Sequence, residues 1–210
     1  MGKAIDQIIK ENFTQDFRTG TPYDDTDSPE RFPLPDKWDG REFSACNADV
    51  LFQLCMKLQP QNIVEIGVAR LETSKYEYTS TSMLINSKSM EAKYLGIDIG
   101  ERSFVATYGV NVFVIQEDST DVKRCVDEIK WHGIKHIDLL MIDGWHSINT
   151  VIQEFAYTDL MPVGGVVVLH DVNLHPGPKN AVQYANPEKW KVEKYCPDDW
   201  GIAVLTKLKP

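Results

Sequence analysis

Two short stretches of this chain set acids beside imidazoles. In "HIDLLMIDGWHSINTVIQEF", His136 to Phe155, Asp143 and His146 stand three residues apart at the seam between an apolar run and a helical pattern. In "GVVVLHD", His170 and Asp171 close another apolar run. A carboxylate is a hard ligand for a dication, and an imidazole accepts a proton near neutral pH or binds a metal. Asp143 and Asp171, brought from the ends of adjacent strands, would converge on one divalent cation with His170 beside them. Carboxylates with water favour Mg2+ or Mn2+, and the imidazole tilts the choice toward Mn2+ or a softer metal. His170 and Asp171 both ligate only if the strand has ended at His170, because successive strand side chains point to opposite faces. Asn173 is the spare ligand. Structural roles compete at each position: His146 as a cap for the helix opening at Ser147, His170 as a core histidine donating to a carbonyl, Asp171 as a turn-forming acid.

These residues need a frame that carries them to one place. Ile137, Leu139, Leu140, Met141 and Ile142 form a run with the character of a strand buried on both faces, and Ile148, Val151, Ile152 and Phe155 resume at helical spacing. Similar runs occur at Ile63 to Gly67, Tyr94 to Asp98, Val112 to Gln116 and Gly165 to His170, each separated by a stretch with helical potential. Repeated strand–helix–strand predicts an α/β fold, a doubly wound and mostly parallel sheet, with ligands outside the carboxyl ends of the strands. Trp190 to Tyr195 and Ile202 to Leu208, joined by "CPDDWG", predict an antiparallel hairpin at one edge. Upstream, Asn47 to Leu58 reads as a helix with Asn47 as its cap candidate, stopped by Gln59-Pro60. Residues 4 to 12 form a short helix and 13 to 44, with four prolines, an irregular segment. The expected division is 1–46, a helix and irregular lid or substrate segment, and 47–210, the ligand-binding domain. There are no internal repeats.

Composition excludes several classes. A chain of 210 residues, 42% hydrophobic and 25% charged, has the make-up of a globular protein with one core. The net charge of -9, with no Lys/Arg run, argues against nucleic acid as a partner. No apolar stretch approaches bilayer length and no signal core follows Met1, so neither membrane nor export is expected. Cys46, Cys55, Cys125 and Cys196 lack CxxC spacing and read as reduced thiols in a cytoplasmic protein. A homo-oligomer stays open.

Four acids, Glu65, Asp98, Asp118 and Asp143, stand at or just beyond the ends of successive strands. With "VEIGV", "YLGID", "VIQEDSTD" and "LLMIDGWHS...LMPVGGVVVLHD", residues 47 to 208 resemble the class I S-adenosylmethionine-dependent methyltransferases. The resemblance is closest to the branch of macrocin-type and cephalosporin-biosynthesis-type O-methyltransferases, in which a "DGxH" turn occurs with a fifth strand ending in an acid pair or "HD". It implies a seven-stranded sheet and an S-adenosylmethionine site. Gly67 would let the cofactor lie against the backbone, Asp98 would accept the ribose hydroxyls, and Asp118 with Ser119 would lie near the adenine. Glu65, Asp143 and Trp145 complete the implied cofactor contacts. Structural roles compete here too: Glu65 as a structural acid at the switch point, Asp118 as a helix cap, and Trp145 as a ring packed over the helix start. His170 fills the position where relatives often have Glu.

The expected reaction is methylation of a hydroxyl on a small molecule, a sugar or a diol-bearing metabolite, assisted by Mg2+ or Mn2+ on Asp143, His170 and Asp171. Asp143 and His146 form the catalytic pair: the sulfonium methyl is already activated, so the enzyme aligns the acceptor and removes its proton, and His146 is the base. The acceptor would be gripped by 13–44 and the loop Val172 to Pro187. One departure from the resemblance stands out: Gly67 is followed by "VARLETSKYEYTSTSMLI" with no second glycine. The helix then starts late, near Thr79 to Ser82, and the intervening loop either forms a lid over the cofactor or marks its loss. Two other functions therefore stay in view: a catalytically silent binding protein of the same fold, and a metal-dependent hydrolase using Asp143, His146, His170 and Asp171.

Overall fold

The computed structural model describes residues 3–18, 44–68 and 79–210. Seven strands form one sheet in the order β3-β2-β1-β4-β5-β7-β6. They are β1 (Asn62–Ile66), β2 (Lys93–Asp98), β3 (Val112–Gln116), β4 (Leu139–Ile142), β5 (Val166–His170), β6 (Trp190–Tyr195) and β7 (Ile202–Lys207). β1 to β5 pair in parallel, whereas β7 runs antiparallel to both β5 and β6. The chain reverses direction in the sheet between β1 and β4, the switch point where ligands bind in open α/β sheets.

Strand alternation sorts the two faces. Val64, Ile66, Leu140, Ile142, Val167 and Leu169 pack on one face, with residues of α1 (Ile5–Asn12), α4 (Val122–Trp131), α5 (Ile148–Glu154) and α6 (Pro176–Tyr184). Ile63, Tyr94, Leu139, Met141 and Val168 pack on the other, with α2 (Ala45–Leu58) and α3 (Ser80–Ser87). The same period-two rule sends Glu65, Asp143 and His170 toward α2 and α3. β4 and β5 are buried on both faces, as their apolar runs require, and β1 is buried there too although it carries Glu65.

Register then lines up the site. Ile97, Ile66, Ile142 and Leu169 are successive cross-strand partners. The next residue on each strand therefore falls in one row along the carboxyl edge: Asp98, Gly67, Asp143 and His170. Of the four acids in the strand pattern, Asp98 and Asp143 share this row, Glu65 lies two positions behind it and Asp118 beyond the end of β3.

Several sequence expectations change. α2 begins before Asn47: Ser44 is its cap, accepting from the Asn47 N–H at 3.2 Å. Val172 to Pro187 is not a loop, because α6 occupies most of it; Pro176 and Pro178 masked the helix, although proline is tolerated in a first turn. α1 is part of the main core through Ile8 and Ile9, and Phe13 pairs with Ala185 behind α6. The four cysteines are not all reduced thiols. Cys46 and Cys196, 150 residues apart, form a disulfide that ties the first turn of α2 to the end of β6. Local spacing holds no trace of such a pair, and disulfides are rare in the cytosol, so these cysteines no longer support a cytoplasmic setting. Cys55 and Cys125 are free and buried. Among the described residues no helix is long and apolar enough to cross a membrane. The glycine-poor loop falls largely on 69–78, and the irregular segment largely on 19–43, both outside the described residues.

Candidate active site

Asp143, His146, His170 and Asp171 meet where β4 and β5 end. Asp171 has φ +61°, a left-handed conformation that ends β5 at His170 and turns the Asp171 side chain back to the side of its neighbour. This meets the condition that strand alternation imposed. His170 Nδ1 lies 3.0 Å from Asp143 Oδ1 and 2.9 Å from Asp171 Oδ1. The Asp143 contact is a hydrogen bond; Asp171 Oδ1 is buried without one. Asp171 Oδ2 faces His146 Nε2 at 3.3 Å and His175 Nε2 at 3.7 Å. His146 Nε2 is also 3.6 Å from Asp143 Oδ1, and it is buried with no hydrogen-bond partner.

His146 is not the cap of α5. That role belongs to Ser147, whose hydroxyl accepts from the Thr150 N–H at 3.1 Å. The imidazole instead stacks on His175 at 4.6 Å between centroids, and His175 stacks on Trp200 at 5.7 Å. α6 approaches this closely because of Gly177: a Cβ there would lie 2.3 Å from the His146 carbonyl oxygen.

The charges are mutually supporting. Burial works against ionisation of Asp143, yet His170 and His146 beside it hold its carboxyl well below the usual carboxylate range. Burial likewise opposes a charged His170, but Asp171 and Asp143 raise it well above the ordinary histidine value. His146 is raised in the same way, against burial, by Asp171 and Asp143. His175 goes the other way: burial and the neighbouring His146 push it down to about 4, so it stays neutral at physiological pH.

Gly67 has a packing role of its own. It has φ +84°, and a Cβ there would meet the Asp143 carbonyl oxygen at 2.1 Å and carbonyl carbon at 2.4 Å. The space beside it is filled by the backbone of Asp143, so Gly67 lets β1 and the seam after β4 close on each other.

The remaining sequence candidates are spread along the same edge. Asp98 Oδ2 accepts from the Val68 N–H at 3.0 Å and Oδ1 from the Gly100 N–H at 2.7 Å. Each oxygen has a second lone-pair direction, which leaves capacity for sugar hydroxyls. Asp118 is exposed and accepts from the Thr120 N–H and hydroxyl at 2.8 and 2.7 Å; the cap of α4 is Asp121. The Ser119 hydroxyl turns inward to Glu154 Oε1 at 2.7 Å. Glu65 is fully buried and accepts from the hydroxyls of Tyr94 and Thr81, while burial pushes its carboxyl up to about 7. Trp145 is 60% exposed, more open than a ring packed over the helix start would be. Asn173 is turned away, donating to the carbonyls of Cys196 and Asp199 at 3.1 and 2.9 Å.

Two residues escaped the sequence reading. Asn47 is fully buried and its amide lies 2.9 Å from His170 Nε2. The available signal was a polar residue on the face that α2 buries through Ala48, Leu51 and Cys55. His175 sits four residues after Asp171 and immediately before Pro176, a spacing that would have pointed to it had α6 been recognised.

The profile of the rhamnosyl O-methyltransferase/CmcI family matches residues 35–196. No curated protein matches the chain by sequence. Among solved structures, the MycE methyltransferase of the mycinamycin biosynthetic pathway, in complex with Mg, SAH and mycinamycin VI, has a TM-score of 0.53 and 18% identity. That match covers 77% of this chain and 48% of MycE, so the chain spans about half that enzyme's length. The O-methyltransferase TomG from Streptomyces achromogenes, involved in tomaymycin synthesis and solved with SAM, has a TM-score of 0.54 and 19% identity over 79% of this chain and 81% of its own. At such identities the structural likeness establishes the fold.

Proposed function

We propose, from the premise that this chain belongs to the rhamnosyl O-methyltransferase/CmcI family, that its S-adenosylmethionine-dependent O-methylation acts on a hydroxyl of a sugar or diol-bearing small molecule with a divalent ion assisting. The observation that carries this reading is the meeting of two carboxylates and two imidazoles at the ends of β4 and β5, beside the switch point of the sheet.

The residues fit a cation. Asp143, His170 and Asp171 offer one ligand atom each, all within 4.8 Å of one another, and Asp171 Oδ1 is a buried acceptor with no hydrogen bond to satisfy it. A dication held there would supply Lewis-acid assistance, lowering the pKa of an acceptor hydroxyl. The chain's own groups do the rest. Asp98 accepts the ribose hydroxyls of S-adenosylmethionine, and Asp118 and Ser119 border the adenine end. Glu65, enclosed by Tyr94 and Thr81, holds β1 to α3 from within. Trp145 offers an exposed aromatic wall for the acceptor. His146 takes the acceptor proton through Nε2, with its ring held against His175 and its charged form favoured by Asp171 and Asp143 once the proton arrives.

Calorimetry with S-adenosylmethionine and S-adenosylhomocysteine, with and without Mg2+ or Mn2+, tests the reading. Saturable binding of both nucleosides is expected. Absence of binding would instead select a silent member of the fold, and ester or amide turnover without the methyl donor would select a hydrolase.

A further inference from the structure

The cluster carries more information about its ion than the carboxylates alone. Ligand atoms on one ion, bound at about 2.1 Å, lie roughly 3.0 to 3.5 Å apart in octahedral or tetrahedral arrangements. The contacts of Asp143 with His170 and of His170 with Asp171 are 3.0 and 2.9 Å. One imidazole nitrogen, Nδ1 of His170, thus lies between the two carboxylates.

The outer partner points the same way. Asn47 is fully buried, and its Oδ1 has no hydrogen-bond partner while its amide faces His170 Nε2 at 2.9 Å. With the amide turned so that Oδ1 accepts, Nε2 carries the proton and the lone pair falls on Nδ1, which faces Asp143 and Asp171. This is how a partner fixes the tautomer of a ligating histidine. Asp171 meanwhile faces two further imidazoles, His146 and His175. Three imidazoles and two carboxylates therefore surround the site, where Mg2+ would call for oxygen and water.

We infer that the site selects a first-row transition-metal dication over Mg2+, with Asp143, Asp171 and His170 Nδ1 as its ligands and Asn47 as the residue that presents Nδ1. Imidazole suits Mn2+, Fe2+, Co2+, Ni2+ and Zn2+, with affinity rising toward the end of the row, while Mg2+ prefers hard oxygen and gives up water reluctantly. The inference rests on the metal-assisted reading above and deepens it. His146 keeps its role as base.

The test uses the intact chain and three readouts: Co2+ absorption in competition with Mg2+, nitrogen coupling in pulsed electron paramagnetic resonance of the Mn2+-loaded protein, and S-adenosylhomocysteine calorimetry on the same samples. In the wild type, Co2+ should be displaced only by Mg2+ in excess on the order of 100-fold or more. Bound Mn2+ should show a directly coordinated nitrogen. His170→Glu should remove that nitrogen and narrow the preference for Co2+ by about tenfold or more, and Asn47→Ala should weaken Co2+ by about tenfold with the nitrogen retained. Displacement of Co2+ by equimolar Mg2+, absence of coordinated nitrogen in the wild type, or its persistence in His170→Glu overturns the inference. The first two measurements need no variant to fold. Nucleoside binding with no ion binding would sink this inference and leave the methyltransferase reading standing; ion selectivity without nucleoside binding would do the reverse.

Discussion

Gly67→Ala separates two uses of the motif glycine. If the missing Cβ only made room for a cofactor, alanine would weaken nucleoside binding and leave the free protein's stability intact. The geometry predicts the opposite order of effects. The new methyl would lie 2.1 Å from the Asp143 carbonyl oxygen, where ordinary contact begins at 3.4 Å, so more than 1 Å must be recovered by backbone movement. Overpacking of that kind costs about 1 to 3 kcal/mol. The residue also sits at φ +84°, where a Cβ costs roughly 1 to 2 kcal/mol more. The sum, about 2 to 5 kcal/mol, corresponds to a fall in melting temperature of roughly 4 to 20 °C for a chain of this size. Calorimetric melting of the ligand-free protein is the assay, with Gly144→Ala as control. At Gly144 the nearest atoms to an added Cβ are Ile66 Cγ2 at 3.2 Å and Glu154 Oε1 at 3.5 Å, which side-chain adjustment can absorb. A Gly67→Ala protein that melts within about 1 °C of wild type would refute the packing argument. Weakened nucleoside binding in that same protein would return Gly67 to the cofactor.

Four other outcomes are expected. Asp98→Ala should weaken S-adenosylhomocysteine about tenfold or more, the loss of charge-assisted bonds to a carboxylate, as read by calorimetry; unchanged affinity in a folded variant would remove the ribose assignment. His146→Ala should lower kcat for a hydroxylated acceptor by about 10² to 10⁴ with little change in melting temperature, because Ser147 and not His146 caps α5. Glu154 is fully buried, and burial pushes its carboxyl up to about 8; the folded state thus binds a proton that the unfolded chain releases near its ordinary 4.5, and stability falls as pH rises from there through about 8. Glu154→Gln should flatten that slope in denaturant titrations across the window, and an unaltered slope would mean the carboxylate is stabilised by means other than its proton. Finally, Cys46→Ser or full reduction should cost about 2 to 5 kcal/mol in reversible unfolding, since the bridge closes a loop across 150 residues; equal stability of the two redox forms would exclude the chain-entropy account.

Each element that announces itself by a local pattern was legible in the sequence. β2, β4 and β5 stood out as apolar runs because strands buried on both faces show little polar side, β1 and the edge strand β3 kept enough apolar residues to be seen, and the antiparallel edge followed from two strand-like pieces around a turn. Asp143, His146, His170 and Asp171 were legible as types because each follows an apolar run at a strand end, where an open α/β sheet places its chemistry. What remained hidden depends on which residues meet through space. Asn47 read as a cap because Asn is a good one; only the start of α2 at Ala45, under Ser44, frees it to reach His170. His175 lay inside a stretch that its prolines made look like a loop, and only the packing of α6 on the His146 backbone at Gly177 brings its ring to the cluster. Gly67 was legible as a glycine that makes room for a cofactor or a turn, but its neighbour, the carbonyl of Asp143, comes from 76 positions away through the pairing of β1 with β4. Cys46 and Cys196 carried no shared local signal at all, because a disulfide is decided by distance after folding and not by spacing along the chain. The same holds for the charges: a lone histidine after an apolar run has an ordinary affinity for its proton, and only two carboxylates converging on it in a buried place can change that.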